Sequence, residues 1–148
     1  MQGGCSVGVV LPAYNEESQI DKVLETMPRY VDHIVVVDDG STDATRERLR
    51  AWEARMGPRL TVIAQPKNQG VGKAVAAGYR YFLELGVDVI ALMAGDGQTD
   101  PDDRGLIIER VIRGKADYRK GNRLCSGETC SKTPASRDLR YGSIRRLH

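Results

Sequence analysis

Short, uninterrupted apolar runs alternate with stretches in which apolar residues recur every three or four positions. Val7 to Leu11 is wholly apolar apart from Gly8 and is followed by Pro12, which predicts a strand buried on both faces and stopped by the proline. Ile20, Val23, Leu24 and Met27 then mark one face of a helix ending near Pro28. His33 to Val37 predicts a second buried strand. Ser41, Thr42 and Asp43 offer N-caps for a helix with the stripe Leu49, Trp52 and Met56, ended by Gly57-Pro58. Leu60 to Ala64 predicts a third strand. Val71, Val75, Gly78, Phe82 and Leu85 form the next helical stripe, closed by Gly86, and the small residues Ala74, Ala76, Ala77 and Gly78 predict a close approach to the sheet. Val87 to Met93 predicts a fourth strand. Asp100 and Pro101 open a helix with Leu106, Ile107, Val111 and Ile112 buried, and Asp117 to Lys120 starts a fifth strand.

Strand and helix alternate, which calls for a three-layer α/β/α sandwich with a mostly parallel sheet. Ligands of such folds sit at the carboxyl ends of the strands. The informative loops are therefore those after Leu11, Val37, Ala64 and Met93. The pattern stops beyond Leu124, so residues 1–124 are expected to form the folded domain and residues 125–148 a basic, flexible tail.

The chain has 148 residues, 41% hydrophobic and 28% charged, which fits one globular domain and excludes intrinsic disorder. A net charge of +2 excludes a nucleic-acid binder that works by bulk charge. The balance is uneven: residues 1–116 carry 14 basic and 17 acidic side chains, whereas residues 117–148 carry 8 and 3. No run of about 18 apolar residues occurs, so no membrane span is expected. The first residues lack the basic start of a secretory signal. With Cys5, Cys125 and Cys130 as an odd set, reduced thiols and a cytoplasmic setting are expected. Cys125 and Cys130 have no second ligand pair for zinc, and His33 and His148 read as structural or surface groups.

Each loop offers chemistry and a plainer reading. In Pro12-Ala13-Tyr14-Asn15-Glu16-Glu17, Tyr14 can stack on a base or pack inward, and the glutamates can simply favour the next helix start. In Asp38-Asp39-Gly40-Ser41-Thr42-Asp43, Asp39 can accept hydrogen bonds from a base or ribose, or the whole cluster can cap a helix. Pro66 to Lys73 fails the P-loop pattern, because Ala74 stands where Ser or Thr is needed, and fails G-x-G-x-x-G at Val75. This excludes a P-loop ATPase and an NAD-dependent dehydrogenase. In Ala94 to Pro101, Asp96 lies past a buried strand between glycines, and with Gln98 or Asp100 it has the oxygens that Mg²⁺ or Mn²⁺ takes. Tyr118 to Arg123 places three cations at a strand end, suited to gripping phosphate or to guarding a sheet edge.

Taken together, VVLPAYNEE, IVVVDDGSTDAT, NQGVGKAVAAGY, MAGDGQTDP and YRKGNR resemble, in order and spacing, the family 2 glycosyltransferases, and among them the polyprenyl- or dolichyl-phosphate sugar synthases. The resemblance covers roughly residues 7–124 and implies a GT-A fold of the nucleotide-diphospho-sugar transferase type, here C-terminally incomplete. It implies that Pro12, Tyr14, Glu16, Val37 and Asp39 line the base and ribose pocket, with Lys73 and Gly95 also touching the nucleotide sugar. Asp96 and Gln98 match the family's metal and diphosphate motif, and Arg123 matches a basic residue that contacts phosphate. Asp96 and Arg123 are thus the expected catalytic residues. One departure is Ala94, where the family often has the first Asp of Asp-x-Asp.

The implied reaction moves a hexose from a GDP- or UDP-sugar to a polyprenyl phosphate with inversion, using Mg²⁺ or Mn²⁺, at the cytoplasmic face of a membrane. The alternatives are a truncated nucleotide-sugar-binding domain without turnover, and a glycosyltransferase with a sugar-hydroxyl acceptor. A nucleotidyltransferase would need a Gly-rich basic loop where PAYNEE stands.

Overall fold

The computed structural model describes residues 4–93, 118–120 and 143–146. The elements run β1 (Val7–Ala13), α1 (Ile20–Glu25), β2 (His33–Asp38), α2 (Thr45–Met56), a 3₁₀ turn (Gly57–Arg59), β3 (Leu60–Ala64), α3 (Val71–Leu85), β4 (Val89–Leu92), β5 (Tyr118–Lys120) and β6 (Ser143–Arg146). They form one sheet in the order β3-β2-β1-β4-β6-β5. The first four strands are parallel, with Val9 opposite both Ile34 and Ala91. β6 runs antiparallel between β4 and β5.

Both faces of the parallel part are covered, which explains the unbroken apolar runs. Val7, Val9, Leu11, Ile34 and Val36 pack with Ile20, Val23 and Leu24 of α1 and Leu49 and Trp52 of α2. Val10, Val35, Val37 and Ile90 pack on the other face with Ala74 and Phe82 of α3. α1 and α2 are also joined by the Asp21 carboxylate, which accepts from Trp52 Nε1 at 2.7 Å and from Arg48. At the free edge, Glu53 Oε1 accepts the Val62 amide of β3 at 3.0 Å, which blunts that edge.

Several elements depart from the sequence expectation. β1 continues through Pro12 to Ala13. Along β1 the peptide groups alternate sides: Ala13 O accepts from Asp39 N of the β2 side, and Val10 O from Met93 N of the β4 side. Pro12 therefore lacks its N–H on the β4 side, where the ladder ends at Val10–Leu92, and β2 pairing continues undisturbed.

The stripe expected on α3 is also different. Ala74, Gly78 and Phe82 are buried, while Val71 and Leu85 are 67% and 47% exposed. The reason is close contact: a Cβ on Gly78 would lie 2.4 Å from Val10 Cγ1, so small residues meet the sheet there, while the Phe82 ring fits over Gly8, whose own Cβ would meet it at 2.8 Å. β4 is shorter than expected because the Val87 amide closes the end of α3 on Phe82 O. Strand β6 lies within the stretch expected to be tail. The helix expected to open at Asp100 and Pro101 lies outside the described residues.

Candidate functional site

The carboxyl ends of β1, β2 and β3 lie side by side, and their loops are laced together by polar contacts. Asn15 adopts a left-handed backbone, φ 51°, just after β1. This turns its amide onto Ser41 Oγ at 3.0 Å and its side-chain oxygen onto the Thr42 amide at 2.8 Å. Glu16 N donates to Thr45 Oγ1 at 2.9 Å, and Glu17 Oε2 accepts from Ala44 N at 2.9 Å. Glu17 therefore sits at the start of α2 instead of α1, because the two loops run together there. Asp43 Oδ1 accepts from the Thr45 amide at 3.0 Å and its hydroxyl at 2.5 Å, and Oδ2 from Glu17 N at 3.3 Å. Burial raises the Asp43 pKa, but these hydrogen bonds outweigh it and hold the carboxyl below its ordinary value.

The paired carboxylates after β2 have separate tasks. Asp38 is fully buried and ion-paired with Arg46 Nε at 2.7 Å, and its other oxygen accepts from Ser41 N at 3.0 Å. Arg46 also donates to Gln65 O at 3.0 Å, beyond the end of β3. A buried carboxylate without partners is costly, and this one is satisfied on both oxygens. Asp39 is 3% exposed, and its two oxygens accept from Gln69 N at 2.7 Å and Gly70 N at 2.9 Å. Gly40 lies under the same loop. Its φ is +73°, and a Cβ there would meet Lys67 C at 2.4 Å and Asn68 N at 2.5 Å. The loop from Pro66 to Gly70 is exposed and is held from below by its polar contacts to the β2 loop.

Of the residues singled out in the sequence, the structure brings Pro12, Tyr14, Glu16, Asp39 and Lys73 to this end of the sheet. Tyr14 is 44% exposed directly after β1. Lys73 is exposed in the first turn of α3, its Nζ 3.4 Å from Gln69 Oε1. Val37 stands apart: its side chain is fully buried in the core under α3. Gly95, Asp96, Gln98 and Arg123 lie outside the described residues. Sequence reasoning missed Asn15, Arg46 and Gln69. Asn15 carries a usable signal, since asparagine after a strand tolerates the left-handed region, whereas Arg46 and Gln69 matter only through distant partners. Among the described residues no three His, Cys, Asp or Glu side chains converge on a metal position.

Residues 8–146 match the family described as Glycosyl transferase family 2. The UDP-N-acetylglucosamine–dolichyl-phosphate N-acetylglucosaminyltransferase of Methanococcus voltae is 29% identical over 88% of this chain and 57% of its own length. The polyprenol monophosphomannose synthase of Mycolicibacterium smegmatis is 31% identical over 85% of this chain and 48% of its own. The undecaprenyl-phosphate mannosyltransferase of Micrococcus luteus is 31% identical over 88% and 53%. The chain thus spans about half the length of these relatives. Among solved structures, a mannosyltransferase from Pyrobaculum calidifontis in complex with GDP-Man and Mn²⁺ superposes with a TM-score of 0.73 at 18% identity, covering 96% of this chain and 44% of that one. Glucosyl-3-phosphoglycerate synthase from Mycobacterium tuberculosis gives 0.66 at 23% identity, over 98% and 58%. These two likenesses establish the GT-A fold.

Proposed function

This chain belongs to glycosyl transferase family 2, and from that premise we propose that it moves a hexose from a GDP- or UDP-sugar to a polyprenyl phosphate of the dolichyl type, with inversion at the anomeric carbon. The observation that carries this is the agreement among the relatives, which are named for transfer onto dolichyl, polyprenol or undecaprenyl phosphate. Residues 1–124, with β6 joining β4 to β5 in the sheet, are the donor-binding domain in this reading.

Pro12, Tyr14 and Glu16 border the base and ribose, and Val37 supports them from the core. Asp39 has acceptor capacity left after its two loop amides, because an ionised carboxylate offers about four lone-pair positions. Those remaining face a base N–H or a ribose hydroxyl. Lys73 and Gly95 border the diphosphate, and Arg123 grips phosphate in a forked manner. Asp96 and Gln98 would hold Mg²⁺ or Mn²⁺, which when bound offsets charge on the departing diphosphate.

An acceptor phosphate oxygen forms the bond to the anomeric carbon while the bond to the diphosphate oxygen breaks, and the nucleoside diphosphate leaves. That phosphate is already ionised at neutral pH, so no strong base is needed to remove a proton. Alignment of the two reactants supplies much of the rate. No helix among the described residues is long and apolar enough to cross a membrane. Residues 125–148 carry 5 Lys or Arg and 2 Asp or Glu, and each cation adds about 1 kcal/mol at an anionic lipid surface, consistent with work at the cytoplasmic face of a membrane.

The test is transfer of radiolabelled sugar from GDP-mannose, UDP-glucose or UDP-N-acetylglucosamine to a polyprenyl phosphate in mixed micelles. Label in the lipid phase supports the proposal. Donor binding without transfer points to a binding domain, and label on a free sugar hydroxyl to a different acceptor class.

A further inference from the structure

The geometry points to Asp39 as a positioning residue for Lys73, acting through Gln69. What Lys73 holds rests on the proposed donor site, but the linkage itself does not. Three contacts make it. The Asp39 carboxylate accepts from Gln69 N at 2.7 Å and from Gly70 N at 2.9 Å. The Gln69 side-chain oxygen lies 3.4 Å from Lys73 Nζ, one helical turn further on. Gly70 O in turn accepts the Lys73 amide at 3.1 Å, so the turn that Asp39 fixes is also the start of α3.

Pro66, Lys67, Asn68, Gln69 and Gly70 are all exposed, and Gly70 sits at φ +95°, which glycine adopts freely and which leaves the turn to be fixed by its hydrogen bonds. Asp39, by contrast, is 3% exposed on the end of a core strand. A buried carboxylate at the end of a core strand is thus coupled to an exposed cation through an exposed turn. Two acceptor bonds by a charged group to backbone N–H are among the stronger hydrogen bonds available. They fix where Lys73 begins its reach and leave its ammonium free to turn to a phosphate. In consequence, any group that engages Asp39 also acts on the lysine turn.

The linkage is read first in the ligand-free protein. Amide exchange at Gln69 and Gly70 is expected to be slow, and roughly tenfold or more faster in Asp39→Asn, while Val35 and Val36 stay protected. The NMR shifts of the Lys73 ε-methylene should move in both Asp39→Asn and Gln69→Ala. Gln69→Ala keeps the backbone amide on Asp39, so it tests the side-chain contact alone. Equal exchange in wild type and Asp39→Asn, or an unmoved Lys73 signal in both variants, overturns the inference.

Affinity for GDP and UDP supplies a second reading. Asp39→Asn and Lys73→Ala should each weaken binding about tenfold, and the double variant should be little worse than either. A loss of about a hundredfold in the double variant would mean that the two residues act separately. If neither nucleotide binds the wild type, the donor site is wrong, and the exchange and shift comparisons still decide the linkage.

Discussion

Replacing Gly78 by alanine tests the contact that places α3, and with it Lys73, over the sheet. In an open helix the change is favourable by about 0.5–1 kcal/mol, because alanine restricts the unfolded chain more than glycine does. Here the added Cβ would stand 2.4 Å from Val10 Cγ1, 3.0 Å from Cγ2 and 3.2 Å from Cβ. Rotation of Val10 can move its methyls but not its Cβ, and Val10 is fully buried. The helix must therefore lift from β1, and overpacking of this kind costs about 1–3 kcal/mol. The net expectation is destabilisation by roughly 1–2 kcal/mol, a fall in Tm of about 3–8 °C. Gly72→Ala is the control, since nothing lies within 4 Å of a Cβ there. It should be neutral or stabilising by up to about 0.5 kcal/mol. Urea titration with a common m-value reads both. If Gly78→Ala is as stable as wild type, or rises together with Gly72→Ala, α3 does not lie against β1 as described.

Other outcomes follow from the loop contacts. Arg46→Met leaves the buried Asp38 carboxylate without its cation and should lower stability by roughly 2–4 kcal/mol in chemical denaturation, whereas Arg46→Lys should recover part of the loss. Asn15→Gly should be milder than Asn15→Ala, which loses the same Thr42 acceptor and also strains the left-handed backbone; a difference of about 1 kcal/mol between them is expected in thermal melts. Asp43 has a lowered folded pKa, so its stabilisation is present above the ordinary carboxyl range and is lost as pH falls through the folded value. Acid titration of stability should therefore show a shallower decline below about pH 4 in Asp43→Asn than in wild type.

The strands and the parallel order were legible because a strand buried on both faces leaves an unbroken apolar run, as at Val7 to Leu11 and His33 to Val37. β3 was located to the residue. On α3 the small residues Ala74 and Gly78 mark the face that approaches the sheet, whereas Val71 and Leu85, which apolarity alone puts on the buried stripe, are exposed. Pro12 was read as a stop because its missing N–H matters on one side only, and one chain in isolation does not say on which side a strand has a neighbour. The carboxyl-end loops stand out in the sequence as the candidate site, yet their internal order does not. Asp39 meets Gln69 across 30 positions and Asn15 meets Thr42 across 27, and no local pattern encodes such pairs.

Calorimetric titration of GDP and UDP, with and without Mn²⁺, into wild type and Asp96→Asn addresses the donor cleft most directly. One of the two nucleotides should bind the wild type, more tightly with Mn²⁺, and Asp96→Asn should lose the metal-dependent gain while keeping the metal-free affinity. Absence of binding by both nucleotides, or a Mn²⁺ gain that survives in Asp96→Asn, would contradict the proposal that the β1–β3 loops bind the nucleotide and Asp96 the metal of its diphosphate.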